Sequence, residues 1–128
     1  MKEQTVHIID DEEAVRDSLA IFLETVGIPV VSYASGEEFL HACEDGIDGI
    51  ILVDARMPGL NGFDLLDELM VSGMELPVVM ISGHGDDDYV ERAMRKGAVG
   101  FVQKPFTDER LLEAIQQGLS GTDVKSGA

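Results

Sequence analysis

Asp54 closes a run of four apolar residues, Ile50 to Val53, and runs straight into the loop Met57-Pro58-Gly59-Leu60-Asn61-Gly62. An apolar run broken by a Pro-Gly turn reads as a buried strand leaving the core, so this carboxylate stands where strand meets solvent. A carboxylate there is a nucleophile toward phosphorus when other groups bring a metal and neutralise charge. A second apolar run, Thr5–Ile9, ends in Asp10-Asp11-Glu12. Three acids at one strand exit repel each other unless a cation lies among them. Magnesium takes oxygen ligands and keeps several waters, so few carboxylates suffice. Asp11 and Asp54 are the expected direct ligands, Asp10 acts mostly through water, and the Arg56 backbone carbonyl completes the set. Two more apolar runs end in Ser82 and just before Lys104. They offer a hydroxyl and a point charge for phosphoryl oxygens.

The elements that must hold these groups alternate regularly. Val15, Leu19, Phe22, Leu23 and Val26 recur at helical spacing after the first strand, with Gly27 placed to cap the helix. Pro29–Tyr33 is more polar and reads as an edge strand. Ser35 and Glu38 match a capping box that opens a second helix through Phe39, Leu40 and Cys43. Leu65, Leu66, Leu69 and Met70 mark a third helix. Pro77–Ile81 is apolar throughout, as a central strand should be. Its loop, Ser82-Gly83-His84-Gly85, leads to Asp86-Asp87-Asp88, which complements the positive start of a fourth helix closed by Gly97. Val99–Gln103 is the fifth strand, and Thr107 caps a last helix bearing Leu111, Leu112, Ile115 and Leu119. Residues 120–128 hold few apolar side chains and read as a linker or tail.

Five strand-helix repeats predict an α/β fold, a doubly wound parallel sheet with helices on both faces. Such sheets bind ligands at the carboxyl ends of their strands. Asp10, Asp11, Asp54, Ser82 and Lys104 all fall there.

The charge is lopsided, 9 basic residues against 25 acidic, net −16. Such a surface repels phosphate backbones, so direct nucleic-acid contact by this segment is not expected. No apolar stretch approaches membrane-spanning length. The single cysteine, Cys43, permits no internal disulfide and fits a reducing cytoplasm.

The ordered set IIDDEE, LVDARMPGLNG, ISGHGD and GFVQKPF resembles the receiver domains of two-component response regulators, over roughly residues 5–119. The wording of HIIDDEEAVRDSL, ISGHGD and VQKPF is most similar to receivers of FixJ-like regulators, which usually precede a LuxR-type helix-turn-helix domain. The resemblance implies a flavodoxin-like (βα)5 fold with strand order 2-1-3-4-5. It implies Asp54 as phospho-acceptor, Asp10 and Asp11 as acids for Mg2+ or Mn2+, and Lys104 and Ser82 as phosphoryl contacts. Ser82 and Phe101 would form the switch, and Arg56 and His84 occupy positions that tune phosphate lifetime. A cis peptide is implied between Lys104 and Pro105. A sensor histidine kinase is the implied donor, with a C-terminal effector domain, DNA-binding in type, beyond a linker at 120–128. Phosphorylation would then promote a homodimer or effector output and control transcription. Gly83 stands where many receivers have alanine.

A stand-alone receiver acting through a partner protein is the alternative within this family. A haloacid-dehalogenase-like phosphatase also pairs an aspartyl nucleophile with hydroxyl, lysine and magnesium. It needs an acid two residues after the nucleophile, where this chain has Arg56, and a cap domain. A flavodoxin-type redox module needs a phosphate-cradling loop after the first strand, and Asp10-Asp11-Glu12 is hostile to one without a metal.

Overall fold

The computed structural model describes residues 4–43, 47–83 and 87–127. Strands and helices alternate as β1 (Val6–Ile9), α1 (Glu13–Thr25), β2 (Val30–Tyr33), α2 (Gly36–Ala42), β3 (Ile50–Asp54), α3 (Gly62–Ser72), β4 (Val78–Ser82), α4 (Asp87–Arg95), β5 (Gly100–Gln103) and α5 (Asp108–Gly127). All strand pairs are parallel and the sheet order is β2-β1-β3-β4-β5. The expected doubly wound architecture is present, with β2 at an edge and β3 in the middle.

The side-chain period of two divides each central strand between two cores. Ile51 and Val53 of β3 and Met80 of β4 pack with Phe39 of α2 and with Phe63, Leu65, Leu66 and Leu69 of α3. Ile50, Leu52, Val79 and Ile81 face the other way, against Leu19 and Leu23 of α1 and Leu111 and Ile115 of α5. Burial on both faces explains why β3 and β4 read as unbroken apolar runs rather than alternating ones.

Helix ends follow local chemistry. Gly27 takes φ 86° just after α1, and Gly97 takes φ 104° after α4, the left-handed conformation glycine adopts without penalty. Ser35 accepts the Glu38 amide at 3.1 Å, and Thr107 accepts the Arg110 amide at 3.1 Å. The reciprocal capping box forms one helix later than expected. Asn61 accepts from the Asp64 amide at 2.9 Å, and Asp64 accepts from the Asn61 amide at 3.2 Å. α5 runs to Gly127, past Leu119, where the apolar spacing lapses. An established helix adds one backbone bond per residue and needs no buried face to continue. The Lys104–Pro105 peptide is cis, as the resemblance implied.

A buried knot ties β1 to its neighbours below the site. His7 Nε2 lies 2.8 Å from the Asp48 carbonyl oxygen, which can only accept, so Nε2 carries a proton. Its Nδ1 lies 3.0 Å from the Tyr33 hydroxyl, the donor to the unprotonated nitrogen of that tautomer. Burial pushes the Tyr33 phenol up, which keeps that proton in place.

Candidate functional site

The carboxyl ends of β1, β3, β4 and β5 bring four of the predicted groups to one edge of the sheet. Asp10, Asp54 and Ser82 are 2%, 8% and 1% exposed, so these polar groups lie within the protein rather than on its surface. Backbone bonds fix their spacing. The Ala55 amide donates to the Ile81 carbonyl and the Lys104 amide to the Ser82 carbonyl, each at 2.7 Å. Asp54 Oδ1 accepts from the Arg56 amide at 2.8 Å. Lys104 Nζ lies 3.5 Å from Asp54 Oδ2, a contact at the outer limit of hydrogen bonding and chiefly an electrostatic one. Gly62 allows the loop to close over this point. A Cβ there would lie 3.0 Å from the Asp54 carbonyl oxygen and 3.1 Å from the Met80 terminal methyl.

Asp10 turns inward. Its Oδ1 accepts from the Glu12 amide at 2.8 Å, and Arg16 Nη1 donates to its carbonyl oxygen at 2.7 Å. Burial pushes the Asp10 carboxyl up from 3.8 to about 6. The Glu12 amide and Lys104 oppose that rise, while the charge of Asp54 and a hydrogen bond with it add to it. Two carboxylates therefore share a low-dielectric corner with one ammonium.

Asp11, expected as a direct ligand, is exposed at the start of the β1–α1 turn. Among the described residues no three His, Cys, Asp or Glu side chains converge in a metal-binding arrangement. The donor set is nonetheless all oxygen: the Asp10 and Asp54 carboxylates, with Asp11 and the Arg56 carbonyl on the adjoining loops. That chemistry fits a hard cation such as Mg2+, which keeps much of its water and needs few protein ligands. The excess negative charge at Asp10 and Asp54 is what such a cation would offset.

Phe101 is half-buried on β5 and packs against the core formed with α2, α3 and α4. Its carbonyl oxygen accepts from Arg110 Nη2 on α5 at 3.1 Å. His84 and Asp86 lie outside the described residues. Arg56 is exposed, with its guanidinium carbon 5.1 Å from the centre of the Tyr89 ring on α4. Two of these contacts are not anticipated by the sequence reading. Arg16 lies six residues past Asp10 on the helix that follows the acids, and that spacing was a usable signal. The Arg56–Tyr89 stack had none, because it depends on how α4 is rotated.

Comparison with known proteins identifies the class. A family model described as the response regulator receiver domain matches residues 6–116, and this chain belongs to that family. It is a signalling domain rather than a member of a catalytic enzyme family. Its relatives are FixJ-like. It is 42% identical over 122 residues to the transcriptional regulatory protein FixJ of Azorhizobium caulinodans, covering 95% of this chain and 57% of that protein. It is 43% identical over 117 residues to FixJ of Rhizobium meliloti, covering 91% and 57%. The chain spans little more than half the length of these curated relatives. Among solved structures, FixJ-N superposes with a TM-score of 0.87 at 42% identity, over 92% of this chain and 94% of that one. The chemotaxis protein CheY4 of Vibrio cholerae gives 0.82 at 26% identity, over 91% and 98%. Among the described residues no helix is long and apolar enough to cross a membrane.

Proposed function

We propose that this domain accepts a phosphoryl group on Asp54 from a sensor histidine kinase and passes the change to an effector that controls transcription. The observation that carries this reading is the pairing of buried Asp54 with Lys104, 3.5 Å away, beside a second buried carboxylate, Asp10. Asp54 Oδ1 is engaged by the Arg56 amide, which leaves Oδ2, on the lysine side, to form the new O–P bond. As that bond forms, the donor's P–N bond breaks and its imidazole leaves, taking a proton from solvent. Lys104 and Ser82 then serve the phosphoryl oxygens, the first by charge and the second by its hydroxyl. Asp10, Asp11, Asp54 and the Arg56 carbonyl would hold Mg2+ or Mn2+, which supplies charge neutralisation at the transferring group. Movement of Ser82 toward the phosphoryl group frees space for Phe101, and the surface around α4 and β5 changes shape to favour a homodimer or an effector contact. FixJ, a transcriptional regulatory protein by name and longer than this chain, supports a C-terminal effector domain joined through residues 120–128. Arg56 and His84 would set how long the phosphate lasts.

The test is incubation with magnesium and acetyl phosphate, followed by intact mass, with Asp54→Asn alongside. Gain of one phosphoryl group by wild type only is the expected result. Equal labelling of both, or of neither, overturns the assignment.

A further inference from the structure

Beside the acceptor lies a second constellation, of which the phosphoryl-transfer reading uses only Arg56. A cleft of about 390 Å³ opens one residue past Asp54, between the β3–α3 loop and α4. Arg56 and Arg92 flank it, Phe63 and Tyr89 wall it, and Asn61 stands at its rim. The four large side chains form a continuous stack. The Arg56 guanidinium lies over Tyr89 at 5.1 Å, the Tyr89 ring meets Phe63 edge to face at 5.3 Å, and the Arg92 guanidinium lies over Phe63 at 4.2 Å.

The basic residues of this strongly acidic chain show why that matters. Arg16, Arg95, Lys96, Lys104 and Arg110 each reach an oxygen, of a carboxylate or a carbonyl. Among the described residues, Arg56 and Arg92 have only ring contacts for their guanidiniums. Both are exposed and both line the same cleft. A guanidinium lying on a ring is held by its face, which leaves its in-plane N–H groups aimed outward and ready for a planar, bidentate acceptor. Asn61 commits its Oδ1 to the Asp64 amide, so its NH2 remains as a further donor. Negative charge beyond about 8 Å is screened at physiological salt, and Arg56 and Arg92 are the charged residues among those lining the cleft.

We infer that this cleft is an oxyanion site, separate from the Asp54 corner, that takes a phosphate dianion. Two monocations lining one cleft from the two ends of the stack, each with an open N–H fork, match two negative charges and several acceptor oxygens better than they match a single carboxylate. The dianion has two possible sources, free inorganic phosphate or the phosphate of a small phosphoryl donor held next to the acceptor. The binding stands independently of the phosphoryl-acceptor reading, and the donor role rests on it.

The experiment begins with the Asp54→Asn protein, magnesium-free, so that no transfer chemistry contributes. Inorganic phosphate is titrated while the Arg Nε–H resonances and the backbone amides of residues 56–63 and 89–92 are followed by NMR. Acetate and chloride at matched ionic strength are the comparisons. Saturable shifts with phosphate alone are expected, with Arg92→Gln weakening binding about tenfold or more, as expected for loss of charge-assisted hydrogen bonds. Arg92→Lys, which keeps the charge and loses the fork, should fall between. Shifts that do not saturate, that acetate reproduces, or that survive Arg92→Gln in a protein melting like wild type overturn the site. A second arm uses the wild type and acetyl phosphate. If added inorganic phosphate slows labelling and Arg92→Gln abolishes the slowing, the cleft captures the donor's phosphate before it moves on to Asp54. Labelling indifferent to phosphate assigns the cleft to free phosphate. Failure of labelling altogether would count against the acceptor reading and leave the first arm intact.

Discussion

Replacing Asp10 with Asn should stabilise the metal-free protein, and the gain should vanish in acid. The Asp10 carboxyl is buried beside Asp54, and its pKa is raised from 3.8 to about 6. Because the folded value lies above the unfolded one, the folded state holds its proton more tightly between those values. Ionising Asp10 therefore costs stability as pH rises through about 6, and below 3.8 both states are protonated and the cost disappears. At 1.36 kcal/mol per pKa unit, the rise amounts to roughly 3 kcal/mol at pH 8. Asn is nearly isosteric, can still accept from the Glu12 amide and carries no charge. Urea denaturation with a chelator present should thus show Asp10→Asn more stable by up to about 3 kcal/mol at pH 8 and equal to wild type near pH 3. Adding magnesium should narrow the gap at pH 8, since it stabilises only a folded state that can bind it. A gain of the same size at both pH values, or a loss at pH 8, would refute the electrostatic reasoning.

Tyr33→Phe should cost about 1–2 kcal/mol by leaving the buried His7 Nδ1 without its hydroxyl partner, read as a lowered urea midpoint with an unchanged slope. Asn61→Ala removes the side-chain half of the α3 capping box and should cost about 1 kcal/mol; an unchanged melting temperature would mean the bond contributes nothing net. Phe101→Ala should remain competent for labelling at Asp54 while losing any phosphorylation-dependent dimer by size exclusion. Dimerisation as in wild type would remove Phe101 from the switch.

Much of the site's placement was legible because its groups sit at the ends of strands buried on both faces. Such strands read as apolar runs, and Asp10, Asp54, Ser82 and Lys104 are the polar residues that end them or directly follow them. Alternation of strands and helices gave the class of fold. The order of the strands came from the family resemblance, since periodicity cannot say which parallel neighbours pair. What escaped depends on rotation and distance in space. His7, Tyr33 and Asp48 are far apart in sequence, and only the packing of β1 against β2 and the chain before β3 brings them together. The stack through Arg56, Tyr89, Phe63 and Arg92 required the orientation of α4, which the acidic start of that helix does not reveal. Asp11 reads in sequence as a direct ligand and Asp10 as one acting mostly through water, yet the turn after β1 buries Asp10 and exposes Asp11. The helix α5 continues to Gly127, beyond Leu119, the last residue of its apolar stripe in the sequence reading.

The ladder that joins β3, β4 and β5 also sets what residue can stand at position 104. Asp54 pairs with Ile81, Ser82 pairs with Gln103, and the Lys104 amide is bonded to Ser82. The acceptor and the cation therefore stand at the ends of strands two strand spacings apart, roughly 10 Å laterally. A side chain must bridge most of that gap, and lysine's flexible four-carbon stem can. Insertion or deletion of a single residue in β5 would turn position 104 to the opposite face, whereas the loops beyond the ladder are free to change length. These three strands can therefore exchange side chains but not residue count, while the number of residues between Asp54 and Lys104 can still vary in the loops.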